Sequence, residues 1–172
     1  MKKILKISGL ALLFLSISIS TSFAQKFGYL NSAAILVKVP ETKSADDQLK
    51  NYQAELVKKG EEMAAQLDTE YQAFAKAYQG GGMAPVDAQK QQADLQKQQE
   101  AIVAYEQEVR TKLETKRQEL FSPILLKVEK AIQEVGKEGG YTFIFDVSVP
   151  NTILFVEEKD DLSAAILAKL GL

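Results

Sequence analysis

The chain has 172 residues, with 21 lysines and arginines against 23 aspartates and glutamates, a formal charge of -2, and neither cysteine nor histidine. Without either residue type there is no disulfide framework, and the usual zinc sites and most nucleophile–base pairs are excluded. A charge balance this close to neutral argues against nucleic acid as the main partner.

Residues 1–24 read as a secretory signal. Lys2, Lys3 and Lys6 form its basic end, Ile7 to Ile19 its apolar stretch, and Ser22-Phe23-Ala24 its small-residue cleavage site. The apolar run is short for an uncleaved membrane anchor, and no cysteine follows it to carry a lipid. Cleavage leaves Gln25 at the start of a chain with 18 basic and 23 acidic residues, a net charge of -5.

Lys26-Phe27-Gly28-Tyr29-Leu30-Asn31 predicts a short strand. Asn31 or Ser32 then caps a short helix running to Val37, with Pro40 marking its end or a bend.

Residues 41–138 predict two long helices folded back at a tip, residues 79–85, which contains Gly80-Gly81-Gly82 and Pro85. On the first arm large apolar residues fall at Leu49, Tyr52, Leu56, Met63, Leu67, Tyr71, Phe74 and Tyr78. On the returning arm they fall at Ile102, Val109, Leu113, Leu120, Ile124, Val128, Ile132 and Val135. Steps of three, four and seven mark one helix face. Two such stripes bury each other as an antiparallel coiled coil but cannot build a globular core. Each arm is about 55–60 Å long at a rise of about 1.5 Å per residue. The tip glycines follow no strand and precede no lysine–serine pair, so a phosphate loop does not fit.

Three arm features are candidates for motion. Gly60 lies inside the first helix, where glycine costs about 1 kcal/mol against alanine. It marks either a bending site or an exposed position that tolerates glycine. Pro123 interrupts an apolar pattern that continues on both sides, as a hinge or as a fixed bend. Residues 89–100 hold one large apolar side chain, Leu95, and predict a loosely packed, mobile outer end.

Gly139-Gly140 stops the second arm. Tyr141 to Val147 predicts a strand, and Thr152-Ile153-Leu154-Phe155-Val156 its hairpin partner across Ser148-Val149-Pro150-Asn151. Asp160 or Asp161 caps a last helix with Leu162, Ile166 and Leu170 on one face. The domain reading is therefore a signal at 1–24, an α-helical arm at 41–138, and a β-rich body from 25–40 and 139–172. Both C-terminal strands are apolar on both faces, and a unit of roughly 50 residues cannot cover them alone. The body is expected to complete itself by oligomerisation through Phe27, Tyr29, Phe143, Phe145, Leu154 and Val156. The fold class is mostly α with a small β body.

The order of these parts, with Arg117-Gln118-Glu119-Leu120-Phe121-Ser122-Pro123-Ile124 and Gly140-Tyr141 as local matches, resembles the Skp (OmpH) family of periplasmic chaperones. The resemblance covers nearly the whole mature chain. It implies a homotrimer whose strands join in one body, with three helical arms around a cavity. That cavity would hold unfolded outer-membrane β-barrel proteins in the periplasm, without nucleotide or other cofactor. Physical logic supports such a device. Unfolded barrel proteins expose apolar surface and unpaired strand edges. Helical arms offer no free edge to seed on, and several weak contacts hold a client without a deep pocket.

One feature departs from the basic character of the family. The first arm, 41–79, has 5 basic and 8 acidic residues, and the second, 86–138, has 9 and 10. The dense basic stretch Arg110, Lys112, Lys116 and Arg117 is interleaved with Glu108, Glu114 and Glu119, which argues against a lipopolysaccharide or anionic-membrane site. The competing function is a structural coiled-coil spacer or adaptor of the cell envelope. An enzyme is disfavoured, with no catalytic residues, metal ligands or cofactor site in view. Phe74 and Tyr78 read first as seam residues and second as client contacts. Met83 lies outside the seam pattern and is a candidate client contact.

Overall fold

The structure is a computed structural model that describes residues 25–172. The expected secretory signal lies outside the described residues. Strand β1 spans Phe27–Leu30, helix α1 Ser32–Lys38, helix α2 Pro40–Gln79 and helix α3 Pro85–Glu138. Strand β2 spans Phe143–Asp146, a 3-10 turn covers Glu158–Asp160, and helix α4 spans Ser163–Leu170.

Local chemistry sets the helix ends. The Asn31 side chain accepts from the Ala34 N–H at 3.0 Å and caps α1. Pro40 marks the end of that helix, with Val39 extended before it. It also opens α2 from the first turn, where its missing N–H costs nothing. Pro85 opens α3 in the same way. At the far end Gly140 turns the chain with φ 66°, and the Tyr141 N–H reaches back to Gly136 O at 3.0 Å. The last helix has Leu162 at its cap position, and the Asp161 carboxylate accepts from the Ser163 N–H at 2.8 Å.

The two long helices touch along their length. Lys127 Nζ meets Glu41 Oε1 at 2.5 Å, across 86 residues of sequence. Farther out, Tyr105 Oη donates to Leu56 O at 3.0 Å across 49 residues, and Gln98 donates to Glu70 across 28. Partners thus draw closer in sequence towards Gly80.

The core lies at the root of the long helices. Leu30, Ile35, Val39, Ala45, Ile124, Val128, Ala131, Leu162 and Ile166 are buried there together. Ile35 and Ile166 are 1% and 0% exposed. Residues from α1, both long helices, α4 and one sheet face share this core. Gly28 is tightly enclosed in it. A Cβ at that position would lie 2.6 Å from Leu162 Cδ1 and 3.0 Å from Tyr141 Cε1.

The sheet differs from the expected strand pair. It has two strands, β1 and β2, paired in parallel with Phe27 opposite Phe143 and Tyr29 opposite Phe145. The other edge of β1 is met by Asp161, with the Leu162 N–H donating to Tyr29 O at 2.8 Å. Residues 152–156 form no strand. After the Asn151 turn, at φ 64°, the segment has no ladder of its own, and Leu154 and Phe155 are 89% and 79% exposed. A β-rich composition becomes a strand only where an edge offers hydrogen bonds.

Asp146 ties the end of β2 to the start of α1. Its carboxylate accepts from Ser32 Oγ at 2.5 Å, from the Ser32 N–H at 3.1 Å and from the Ser148 N–H at 2.9 Å. Burial pushes the Asp146 pKa up, but these hydrogen bonds outweigh it and hold the carboxyl below its ordinary 3.8.

Candidate functional site

Two surfaces combine exposed apolar side chains with little competing structure. The first is the outer face of the sheet. Strand alternation sends Gly28, Leu30 and Ile144 inward, and Phe27, Tyr29, Phe143 and Phe145 outward. Phe27 stacks on Phe143 with centroids 6.0 Å apart, and Phe145 lies 6.3 Å from Phe27 and 6.2 Å from Phe143. These three rings remain 45%, 56% and 41% exposed. A groove of about 310 Å³ runs beside them, edged by Ile153, Phe155, Val156 and Asp160. Burial, and then the charges of Asp161, Glu158 and Asp160, push the Tyr29 phenol up. Of the six residues expected to form the oligomer body, four lie on this face. Val156 edges its groove, whereas Leu154 projects from an irregular segment.

The second surface is the outer half of the long helices. Here the seam departs from the expected apolar stripe. It runs through Leu56, Gly60, Met63, Leu67, Glu70 and Phe74 on α2, all buried or half-buried. On α3 it runs through Ala88, Gln91, Leu95, Gln98, Ile102 and Tyr105. Tyr71 and Tyr78 leave it, at 60% and 63% exposed. The reason is the polar contact of Glu70. Its carboxylate accepts from Gln66 at 2.9 Å and from Gln98, and these hydrogen bonds hold its pKa below the ordinary 4.5. With Glu70 in the seam, position 71 turns to the flank. Phe74 does sit in the seam, 5.8 Å from the Tyr78 ring. Between the helices a groove of about 690 Å³ is lined by Leu67, Tyr71, Phe74, Leu95 and Ile102 among others. Met83 is half-buried at the tip.

Gly60 is neither exposed nor idle. A Cβ there would stand 3.6 Å from the Tyr105 ring. Tyr105 is 6% exposed and was absent from the apolar stripe, because a tyrosine between Ile102 and Val109 also reads as a surface residue. Its spacing of three from Ile102 and four to Val109 was the available signal. Helix α3 continues through Pro123, which is itself exposed, while Leu120, Phe121 and Ile124 beside it pack at the core. Two of the four residues of the basic stretch, Lys112 and Lys116, have acidic partners. Lys112 lies 2.6 Å from Glu108, and Lys116 3.7 Å from Glu119. Among the described residues no three acidic side chains gather as metal ligands, and no helix is long and apolar enough to cross a membrane.

Paired long helices rising from a small parallel sheet define a mostly helical fold with one bare aromatic face. Residues 26–170 match the family described as outer membrane protein (OmpH-like). The chain belongs to that family. A crystal structure of a Caulobacter crescentus protein, described as an OmpH-like outer membrane chaperone, has a TM-score of 0.71 with it. That likeness covers 86% of this chain and 84% of the other at 18% identity, and so concerns the fold. No curated protein matches the chain.

Proposed function

We propose that this protein is a holdase chaperone of the periplasm. It acts without ATP, binding unfolded outer-membrane β-barrel proteins and preventing their aggregation during outer-membrane assembly. Residues 1–24 direct export and are removed. The body, 25–40 and 139–172, closes through its aromatic face into a homotrimer. The long helices act as antiparallel arms around a shared cavity.

The observation that carries this reading is the open outer half of the arm, where apolar side chains line a groove without any strand edge. A client can lodge aromatic and aliphatic side chains there without nucleating β-aggregation. The bare rings of Phe27, Phe143 and Phe145 support self-association, because exposed apolar patches of this kind mark interfaces.

The test is light scattering after a urea-denatured outer-membrane barrel protein is diluted into buffer. The protein should suppress scattering at stoichiometric amounts without nucleotide. Unchanged aggregation, together with tight binding of a single folded partner, would favour a coiled-coil spacer instead.

A further inference from the structure

The two flanks of the arm are chemically unlike. One residue after the seam, α2 carries Val57, Ala64, Tyr71 and Tyr78 at strict seven-residue spacing. Such a series drifts only about 20° per heptad and stays on one side. Val57, Tyr71 and Tyr78 are 48%, 60% and 63% exposed. One residue before the seam, the opposite flank carries Lys59, Gln66 and Ala73. The inter-helix groove opens on the first flank, where Ala64 and Tyr71 face Gln92 and Gln99 of α3. Val103, 56% exposed, extends the same flank beyond Gln99.

We infer that this flank of each arm holds the client, and that it selects extended segments that are apolar and neutral or basic. The inference rests on the holdase reading and names the segment class it takes. The stripe from Val57 to Tyr78 is about 30 Å long at about 1.5 Å per residue. An extended chain of roughly nine residues spans it. Alternate client side chains meet Tyr71 and the groove. Glutamine amides carry both donors and acceptors, so Gln92 and Gln99 satisfy backbone groups that an unfolded strand leaves unpaired.

Charge decides which segments fit and which occupant is excluded. Asp68 lines the groove, and Glu61 lies one turn from Val57. Asp68 accepts from Gln72 at 2.8 Å, and among the described residues no lysine or arginine lines the groove beside it. An acidic segment meets repulsion, and a basic one attraction. A second copy docked here face to face would set Glu61 and Asp68 against like charges. An unfolded chain can instead choose its register.

The experiment uses the full mature protein with a photo-crosslinking amino acid at position 71 or, on the opposite flank, at position 66. The probes are a urea-denatured outer-membrane barrel protein and two short peptides alternating leucine and phenylalanine with either lysine or glutamate. Barrel labelling should be roughly tenfold stronger from position 71 than from 66. The lysine peptide should compete, and the glutamate peptide should not. Combined Tyr71→Ser and Tyr78→Ser should raise the protein concentration needed to hold the barrel roughly tenfold, with mass and helicity unchanged.

Equal labelling from both positions, or equal competition by the glutamate peptide, would overturn the inference. So would copies of this chain crosslinking to one another from position 71 without client. Loss of holding in the wild type with lysine-peptide labelling kept at position 71 would sink the holdase reading and leave the surface.

Discussion

Gly60→Ala separates a hinge from a packing position, and its sign follows from the structure. Gly60 lies within the continuous helix α2, so alanine has no conformational penalty there and gains about 1 kcal/mol of helix propensity. The new methyl would stand 3.6 Å from Tyr105 Cε1 and 3.8 Å from Cδ1, ordinary contact distances that require no movement. The contact can only add to the propensity gain. Gly60→Ala should therefore stabilise the protein by about 1 kcal/mol, a rise of about 2–4 °C in Tm for a chain of this size. Urea unfolding followed by circular dichroism at fixed protein concentration measures it, and client holding measured beside it should not change. A destabilisation of comparable size would mean that the arm leaves helical geometry at Gly60, and the packing argument would fail. Gly28→Ala is the internal contrast. The Cβ, 2.6 Å from Leu162 Cδ1, must displace buried side chains, at a cost of about 1–3 kcal/mol.

Phe145→Asp should dissociate the proposed homotrimer without unfolding the chain. Its ring is 41% exposed on the outer sheet face, so the new charge meets water once copies separate; sedimentation with retained helicity tests this, and an intact oligomer would refute it. Asp146→Ala should cost about 1.5–3 kcal/mol by removing charge-assisted bonds to Ser32 and Ser148. Because the folded carboxyl titrates below 3.8, its stabilisation is present above that value and lost as pH falls through the lower folded pKa. The acid-unfolding transition of the wild type should therefore show a component near and below pH 3.8 that Asp146→Ala lacks. Pro123→Ala restores a backbone donor and should narrow the spin-label distances between arm tips while leaving oligomerisation intact; equally broad distances in both proteins would make the proline a fixed bend. Amide exchange should be fastest at 79–100 and slowest near 120–135, and uniform protection along the arms would contradict the outer-arm reading.

Sequence alone determined what is local. Apolar periodicity, the glycines at 80–82 and 139–140, and the prolines at 40 and 85 mark where the helices start and stop, because caps and propensities act within a turn or two. The aromatic outward face of the first strand was legible too, since side-chain alternation is intrinsic to an extended chain. Tertiary structure decided what depends on a partner. Whether Glu70 or Tyr71 enters the seam depends on Gln98 lying opposite, and a carboxylate enters only when a facing amide satisfies it. Tyr105 is buried because Gly60 leaves room for its ring and Leu56 O accepts its hydroxyl. Residues 152–156 look like a strand by composition, yet β2 pairs with β1 instead, and hydrogen bonds between distant segments cannot be read from either segment alone.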